Sequence, residues 1–504
     1  MLGKLYSSTN LGVDPIQVEI EVDARNGLPG QTIVGLPDNA VKESKERVMA
    51  AIKNAGFEMP TNKFVTINLA PANIRKSGSI YDLAIALGIL QTTGQLSQKV
   101  PKVLILGELG LGGECKAVEG VLIGSILAKK NDFDAILVPK ENYLEACLIN
   151  QVPIIPISSL KEAVDWLIKP NFLTTQRVEY KKKSIPNILD FREVKGQSFA
   201  RRAIEIAASG GHNILMVGPP GCGKSMLAKR IPSILPELNN DEMIEVAKIY
   251  SISGKLKNRP KNLSARPYRS PHYTISYAGL VGGTSWARPG ELSLAHNGVL
   301  FLDEFPEFNR QAIECLRQPL EDGQVTVSRA NFTLTYPASF MLVASANPCP
   351  CGYEFHPYIE CKCSPYTKER YQKKLSGPIL DRFDMIIELV PLDERELFDT
   401  KCSESSIDIQ KRVLKARDVQ KNRLINNRIY TNSKMSVTEQ EKYCFMDSEC
   451  EQLLKIALAK YQLSARVVHK ILRVSRTIAD LDNSNRIKTN HLSEAINYRI
   501  KSYV

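Results

Sequence analysis

One stretch constrains this chain more than any other. Residues 213–231 read NILMVGPPGCGKSMLAKRI, an apolar run, then a turn built from glycine and proline, then a helix-forming run. Gly218, Gly223, Lys224 and Ser225 stand in a G-x-x-x-x-G-K-S spacing directly after the apolar strand. Glycines let the backbone curl so that its amides face an anion, and the helix amino terminus adds a positive dipole end. A lysine at this place reaches the β- and γ-phosphates of a nucleoside triphosphate, and the next hydroxyl binds magnesium. The spacing therefore predicts a strand, phosphate loop and helix in an α/β layer, with ATP and Mg2+ held by Gly218, Pro219, Pro220, Gly221, Cys222, Gly223, Lys224, Ser225 and Met226.

About eighty residues on, GVLFLDEF offers a second apolar strand ending in Asp303 and Glu304. Adjacent carboxylates at the end of a buried strand are costly unless something compensates their charge, which a metal does. In that setting Asp303 is expected to hold magnesium with Ser225, and Glu304 to polarise the water that attacks the γ-phosphate. A third strand, SFMLVASANP, ends in Asn347, a neutral amide able to position the same water. Alone, an asparagine at a strand end is usually a turn residue. Arg382 in SGPILDRFD and Arg466 in SARVVHKILRVSRTIADL are candidates of the same kind, and a lone arginine is most often a surface residue.

At 504 residues the chain is too long for one core. Residues 1–172 alternate β-like runs (QVEIEVDA, KFVTINLA, KVLILGELG, DAILVPK) with helical ones (AVKESKERVMAAIKNAG, IYDLAIALGIL), which predicts a compact α/β or α+β domain. Residues 173–189, with TTQRVEYKKKSIPN, are polar and basic and predict a linker; 190–395 continue as an αβ series, and 396–504 read as helical. No apolar run reaches the roughly 18–20 residues that span a bilayer, and the amino terminus lacks the layout of a signal peptide, so no membrane partner and a cytoplasmic location are expected. Lys and Arg exceed Asp and Glu by 66 to 54, a net charge of +12 that favours a polyanion.

Taken together, GPPGCGKS, GVLFLDEF, SANP, SGPILDRFD and SARVVHKILRVSRTIADL resemble the motifs of a AAA+ ATPase of the magnesium-chelatase-like branch. The phrases VKGQSFARRAIEIAASGGHN, RSPHYTISYAGLVGG and ARPGELSLAHNGVLFLDE narrow the likeness to the ComM/YifB family. The resemblance implies an α/β multidomain protein with a AAA+ P-loop core at 190–395 and a helical lid at 396–504. It implies Asn347 as sensor of the γ-phosphate, Arg382 as an arginine finger acting in the neighbouring subunit's site, Arg466 as the second sensor, and Val194 to Gln197 beside the adenine. A finger in trans requires a ring, by resemblance a homo-hexamer. The ComM branch that the sequence resembles is known for helicase and branch-migration work during natural transformation. The implied partners are therefore single-stranded, forked or three-stranded DNA and other recombination proteins.

Residues 1–172 also resemble the proteolytic domain of Lon-type proteases, a ribosomal S5 domain 2-like α+β fold, with GELGLGG and LVPKENYLEA as further points of likeness. A Lon-type enzyme places its serine two residues after the glycine that opens a G-P-S-A-G turn and its lysine two residues after the second glycine of a later G-G-L-K phrase. Here those places hold Ile80, after Gly78, and Leu122, in VEGVLIG. Aliphatic groups neither attack nor take a proton, so a scaffold or interaction module is expected in place of a protease.

NPCPCGYEFHPYIECKCSP carries two C-x-C pairs, Cys349 with Cys351 and Cys361 with Cys363. Four thiolates can hold structural zinc tetrahedrally in an insertion, 349–363, that lacks its own core. C-x-C is tighter than the usual zinc hairpin, His356 could replace one ligand, and four reduced thiols in a loop is the plainer alternative. For DNA, two segments are candidates as pore loops: RPYRSPHYTISYAGLVGG, with Arg266, Arg269, His272 and Tyr273, and EDGQVTVSRANFTLTY, an expected hairpin with Arg329. A second function class stays open: a chelatase-type motor that remodels a partner protein for metal insertion. The Lon-like domain, absent from an ordinary chelatase motor subunit, and the basic charge speak against it.

Overall fold

The computed structural model describes residues 2–97, 99–149, 152–171, 189–256, 263–283, 288–329, 332–354, 356–375, 377–391, 403–424 and 430–499. The expected linker at 173–189 lies outside the described residues except for Leu189. The chain divides into two compact units, Met1–Lys183 with Met243–Leu263, and Ser184–Glu242 with Ser264–Val504. No described helix is long and apolar enough to cross a membrane.

The first unit is a seven-stranded mixed sheet. Its strands are β1 (Leu2–Leu11), β2 (Asp14–Asn26), β3 (Gly30–Val34), β4 (Lys63–Ala70), β5 (Val103–Ile105), β6 (Ala135–Pro139) and β7 (Ile154–Ile157), in the order β3-β4-β2-β1-β5-β6-β7. β1 and β2 form an antiparallel hairpin with Leu11 opposite Asp14, whereas β5, β6 and β7 run parallel. Helix α1 (Asn39–Asn54) starts where the Asp38 carboxylate accepts the Val41 N–H at 2.8 Å. It turns Val41, Val48, Ala51 and Ile52 inward, a helical spacing that gives it one apolar stripe. Helix α2 (Asp82–Thr92) is buried on every side. Each of its Leu and Ile side chains contributes about 1.5–3 kcal/mol by leaving water. Gly88 lets α2 settle on the sheet, because a β-carbon there would stand 2.6 Å from Val22 Cγ2.

The second unit holds a five-stranded sheet of β8 (Ile214–Val217), β9 (Tyr268–Arg269), β10 (Val299–Leu302), β11 (Met341–Ala346) and β12 (Met385–Glu388). The order is β9-β10-β11-β8-β12 and every pair is parallel. Strands β8, β10 and β11 are wholly buried, which is why they read as near-continuous apolar runs with no alternation, broken only by Ser345 in β11. Because β10, β11 and β8 are parallel neighbours, their carboxyl ends share one rim, the place where open α/β sheets bind ligands.

Around this sheet lie α3 (Ser198–Gly210), α4 (Lys224–Ile234) and α5 (Pro365–Lys374), and the carboxyl-terminal part is helical: α6 (Ser406–Leu424), α7 (Ser448–Tyr461), α8 (Ala465–Leu481) and α9 (Thr489–Asn497). α8 buries Val467, Ile471, Val474 and Ile478 at a helical period. The fully buried Asp480 on α8 is paired with Arg476 at 2.9 Å and Arg423 at 2.6 Å, so its charge is compensated from two sides. The expected hairpin is present as an antiparallel ribbon, Gln324–Arg329 against Phe332–Pro337.

Candidate nucleotide site

The site begins with the loop between β8 and α4. Gly221 and Gly223 adopt φ of +79° and +91°, the left-handed region that residues with a β-carbon rarely enter. Gly218 answers a different need. A β-carbon there would lie 2.6 Å from the Leu389 carbonyl oxygen, so only glycine lets the loop pass β12's outgoing chain. The Lys224 ammonium donates to the carbonyls of Gly218 at 2.6 Å and Pro219 at 2.9 Å and to Asn347 Oδ1 at 3.1 Å. Burial pulls its pKa down, and the Cys222 thiol and Asp303 oppose that shift.

Asp303 follows β10 and Asn347 follows β11, so both emerge on the rim where the phosphate loop leaves β8. Ser225 Oγ donates to Asp303 Oδ2 at 2.7 Å. That hydroxyl and that carboxylate oxygen are the hard oxygen donors magnesium takes, and their contact shows that the two predicted ligands meet. Glu304 stands in the left-handed region at φ +50°, which costs a residue with a side chain on the order of 1–3 kcal/mol. The conformation is held from the backbone: Glu304 N donates to Ser345 Oγ at 3.1 Å and to Asp303 Oδ1 at 3.1 Å. Its own carboxylate is left exposed on the rim.

Ser345 was not among the predicted site residues. Its hydroxyl donates to Asp303 Oδ1 while accepting from Glu304 N, so one buried side chain fixes both acidic residues. The signal was available, since Ser345 lies two residues before Asn347 and strand side chains two apart share a face. Gln197, at φ +52°, donates to the Cys222 carbonyl at 3.3 Å and the Val390 carbonyl at 2.7 Å, joining the segment before α3 to the loop. Met226 is exposed on the first turn of α4.

Other predicted residues stand apart from this cluster. The Arg382 carbonyl accepts from Asn213 Nδ2 at 3.2 Å, which sets Arg382 at the amino end of β8, opposite the phosphate loop, with its guanidinium paired to Glu321. Arg466 is exposed on the first turn of α8. The preceding segment, Lys460 to Ser464, lines a cavity of about 660 Å³ together with Val217, Asn347 and Pro348. Arg266 donates to the Pro236 and Asn297 carbonyls, both at 2.7 Å, and pairs with Glu242; Arg269 pairs with Glu291 through two nitrogens. The structure thus gives both guanidinium groups internal tasks. His272 and Tyr273 are exposed, with ring centroids 4.3 Å apart, and Tyr273 to Tyr277 line a groove of about 490 Å³ with Glu307, Asn309, Gln311 and Ala312. Arg329 ends one strand of the ribbon opposite Phe332, and its side chain lies outside the described residues.

The four sulfurs of Cys349, Cys351, Cys361 and Cys363 lie within 4.8 Å of one another. His356 is not among them: its Nδ1 accepts from the Tyr358 and Ile359 N–H groups at 3.2 and 3.1 Å and holds the turn between the two cysteine pairs.

Comparison with known proteins places this geometry. Residues 190–397 match the family model for "Magnesium chelatase, subunit ChlI", residues 20–142 that for "Subunit ChlI of Mg-chelatase", and 403–499 that for "Magnesium chelatase, subunit ChlI C-terminal". The chain is 41% identical to competence protein ComM of Haemophilus influenzae over 99% of its length and 97% of that protein's. It belongs to the ComM/YifB family of magnesium-chelatase-like AAA+ ATPases. Its likeness to YifB of Escherichia coli is equally broad, 40% over 99% of this chain and 97% of that protein. As a family member it has an α/β AAA+ P-loop core, and the loop just described is that of the matched 190–397 region. A more distant relative, the maternal DNA replication licensing factor mcm6 of Xenopus tropicalis, is 23% identical over 58% of this chain and 32% of its own length.

Proposed function

We propose that this protein is an ATP-driven DNA motor, working as a homo-hexameric ring in the branch migration of recombination intermediates during natural transformation. The observation that carries this is the cluster of Lys224, Ser225, Asp303, Glu304 and Asn347 on one sheet rim, in a chain alike along its whole length to a competence protein. The ammonium of Lys224 binds the β- and γ-phosphates, and Ser225 with Asp303 holds magnesium. When bound, that ion neutralises charge that develops between the β- and γ-phosphates. Glu304 then polarises the attacking water, and Asn347, already bonded to Lys224, reports the γ-phosphate.

Arg382 stands at the amino end of β8, away from its own chain's phosphate loop, and is read as the finger of a neighbouring subunit, and Arg466, which follows the segment 460–464 that lines the cavity beside Asn347, as the second sensor. Among the DNA candidates the His272–Tyr273 loop suits stacking against single-stranded bases, because its rings are exposed. Arg266 and Arg269 would have to leave carboxylate partners to meet phosphate, so they fit better as braces of that loop. The first unit is read as a Lon-like module without protease chemistry that assembles the ring or docks a recombination protein, and the protein as cytoplasmic.

A chelatase-type motor remodelling a protein client is the second reading. Its support is the chelatase wording of the three family-model descriptions, one of which covers residues 20–142 and so removes the first unit as an argument against it, while the full-length likeness to a competence protein keeps the DNA motor first. The two separate in one experiment. ATP hydrolysis by purified protein is measured with and without forked and three-stranded DNA, and strand exchange is followed on the three-stranded substrate. DNA-stimulated turnover with branch movement is expected; turnover indifferent to DNA and raised by a protein client would install the second reading.

A further inference from the structure

The segment between β11 and α5 has almost no core. Among its described residues no helix or strand intervenes between Ala346 and Pro365, while Tyr358 and Ile359 are exposed. Such a piece needs a staple. The Cys349, Cys351 and Cys361 sulfurs stand 3.3, 3.5 and 3.6 Å from one another, far beyond the roughly 2.05 Å of a disulfide. A tetrahedron of zinc–sulfur bonds about 2.3 Å long has edges of about 3.8 Å, close to this spacing.

What this cluster touches gives it a role. Gly352 closes the turn by donating to the Cys349 carbonyl at 2.9 Å, at φ +83°. A β-carbon on Gly352 would stand 2.6 Å from Cδ of Pro220 in the phosphate loop and 3.8 Å from Asn347 Cγ. Beyond the last cysteine, Lys368 on α5 pairs with Glu354 at 3.2 Å, which ties the cysteine loop to that helix. The cysteine turn thus lies against the phosphate loop and Asn347 and is tied to α5 through Glu354.

We propose that Cys349, Cys351, Cys361 and Cys363 bind one zinc ion as a structural clip, and that the clip, through Gly352 against Pro220, holds the phosphate loop and Asn347 in their nucleotide-binding arrangement. The coupling half rests on the nucleotide site proposed above. Full-length protein, purified under reducing conditions without added metal, is assayed for zinc by mass spectrometry and for mant-ADP affinity by fluorescence. About one zinc per chain is expected. The double variant Cys361→Ser/Cys363→Ser, its fold checked by circular dichroism, should hold no zinc and bind mant-ADP about ten-fold more weakly. Gly352→Ala, whose β-carbon meets Pro220 on a backbone at φ +83°, should keep its zinc, because all four cysteines remain, yet show a similar weakening. Unaltered protein with less than about a tenth of an equivalent of zinc overturns the metal site. A zinc-free cysteine variant, or a zinc-loaded Gly352→Ala, that binds mant-ADP like the unaltered protein overturns the coupling. Unaltered protein that holds zinc but binds no mant-ADP overturns the nucleotide reading instead, and leaves the metal site standing.

Discussion

Two glycine-containing turns, one in each unit, look alike in letters: KSGSIYDLAIALGIL around Gly78 and GPPGCGKSMLAKRI around Gly218. Each pairs a lysine and serine with a helix behind the turn, and the structure treats them in opposite ways. In the first, Lys76 is fully buried with its ammonium on the Pro71 carbonyl, and Ser79 donates to Glu108. Ile80 packs against the core, and Leu122 is wholly buried at the start of the helix Val121–Lys130. In the second, the lysine, serine, aspartate and asparagine meet at one rim and Glu304 stays open to solvent. A turn becomes a chemical site when its polar groups converge and remain available, and the same residue types become structure when each is satisfied by its nearest neighbour.

The largest expected break in this contrast comes from Arg382→Ala. A cationic finger is worth on the order of 10³–10⁵ in phosphoryl transfer, so steady-state ATP hydrolysis should fall by that order while mant-ADP affinity holds. Mixing Arg382→Ala with Lys224→Ala chains should restore part of the turnover, because the proposed ring, when mixed, would contain seams with one intact loop and one intact finger. Glu304→Gln comes next: nucleotide binding kept, kcat down by about 10²–10⁴. Turnover at the unaltered rate would remove Glu304 from the reaction. Lys224→Ala alone should abolish measurable mant-ADP binding, since Lys224 is the buried cation of the loop.

Ser345→Ala sharpens the comparison at smaller scale. It leaves Asp303 Oδ1 and the Glu304 N–H each short of one partner, at about 1–3 kcal/mol, so a roughly ten-fold or greater loss of kcat is expected with a raised magnesium requirement. A magnesium titration of ATP hydrolysis reads it. An unchanged magnesium requirement would make Ser345 a packing residue only.

How much of this was legible depended on whether a signal was local. The rim could be read because strand, turn and carboxylate signals lie within a few letters of each other, as in GVLFLDEF. β1, LGKLYSSTNL, does not stand out as a β-like run: its central Ser7 and Ser8 break the apolar pattern, yet both are buried, and only the sheet's own pairing makes them core. Ser345 escaped for a related reason, since its two partners are about forty residues away. The arginines show the converse. Arg266 and Arg269 read as a basic patch because their partners, Glu242 and Glu291, are more than twenty residues distant in the chain. Charge in a sequence says where a cation is, and folding decides whether it is already spent.

The smallest effect is expected at the first unit's own serine. Ser79 has a partner, Glu108, and a neighbour, Ile80, that packs against the core. Removing its hydroxyl in Ser79→Ala forfeits one part-buried hydrogen bond, about 0.5–1.5 kcal/mol, and nothing that reacts. ATP hydrolysis and mant-ADP affinity should stay as they were, with at most a few degrees off the first unit's melting transition. The decisive measurement is labelling with a fluorophosphonate, which marks activated serines. Stoichiometric labelling of the unaltered protein that Ser79→Ala removes would mean that this turn, too, keeps a group available, and the contrast between the two turns would then lie in their partners alone.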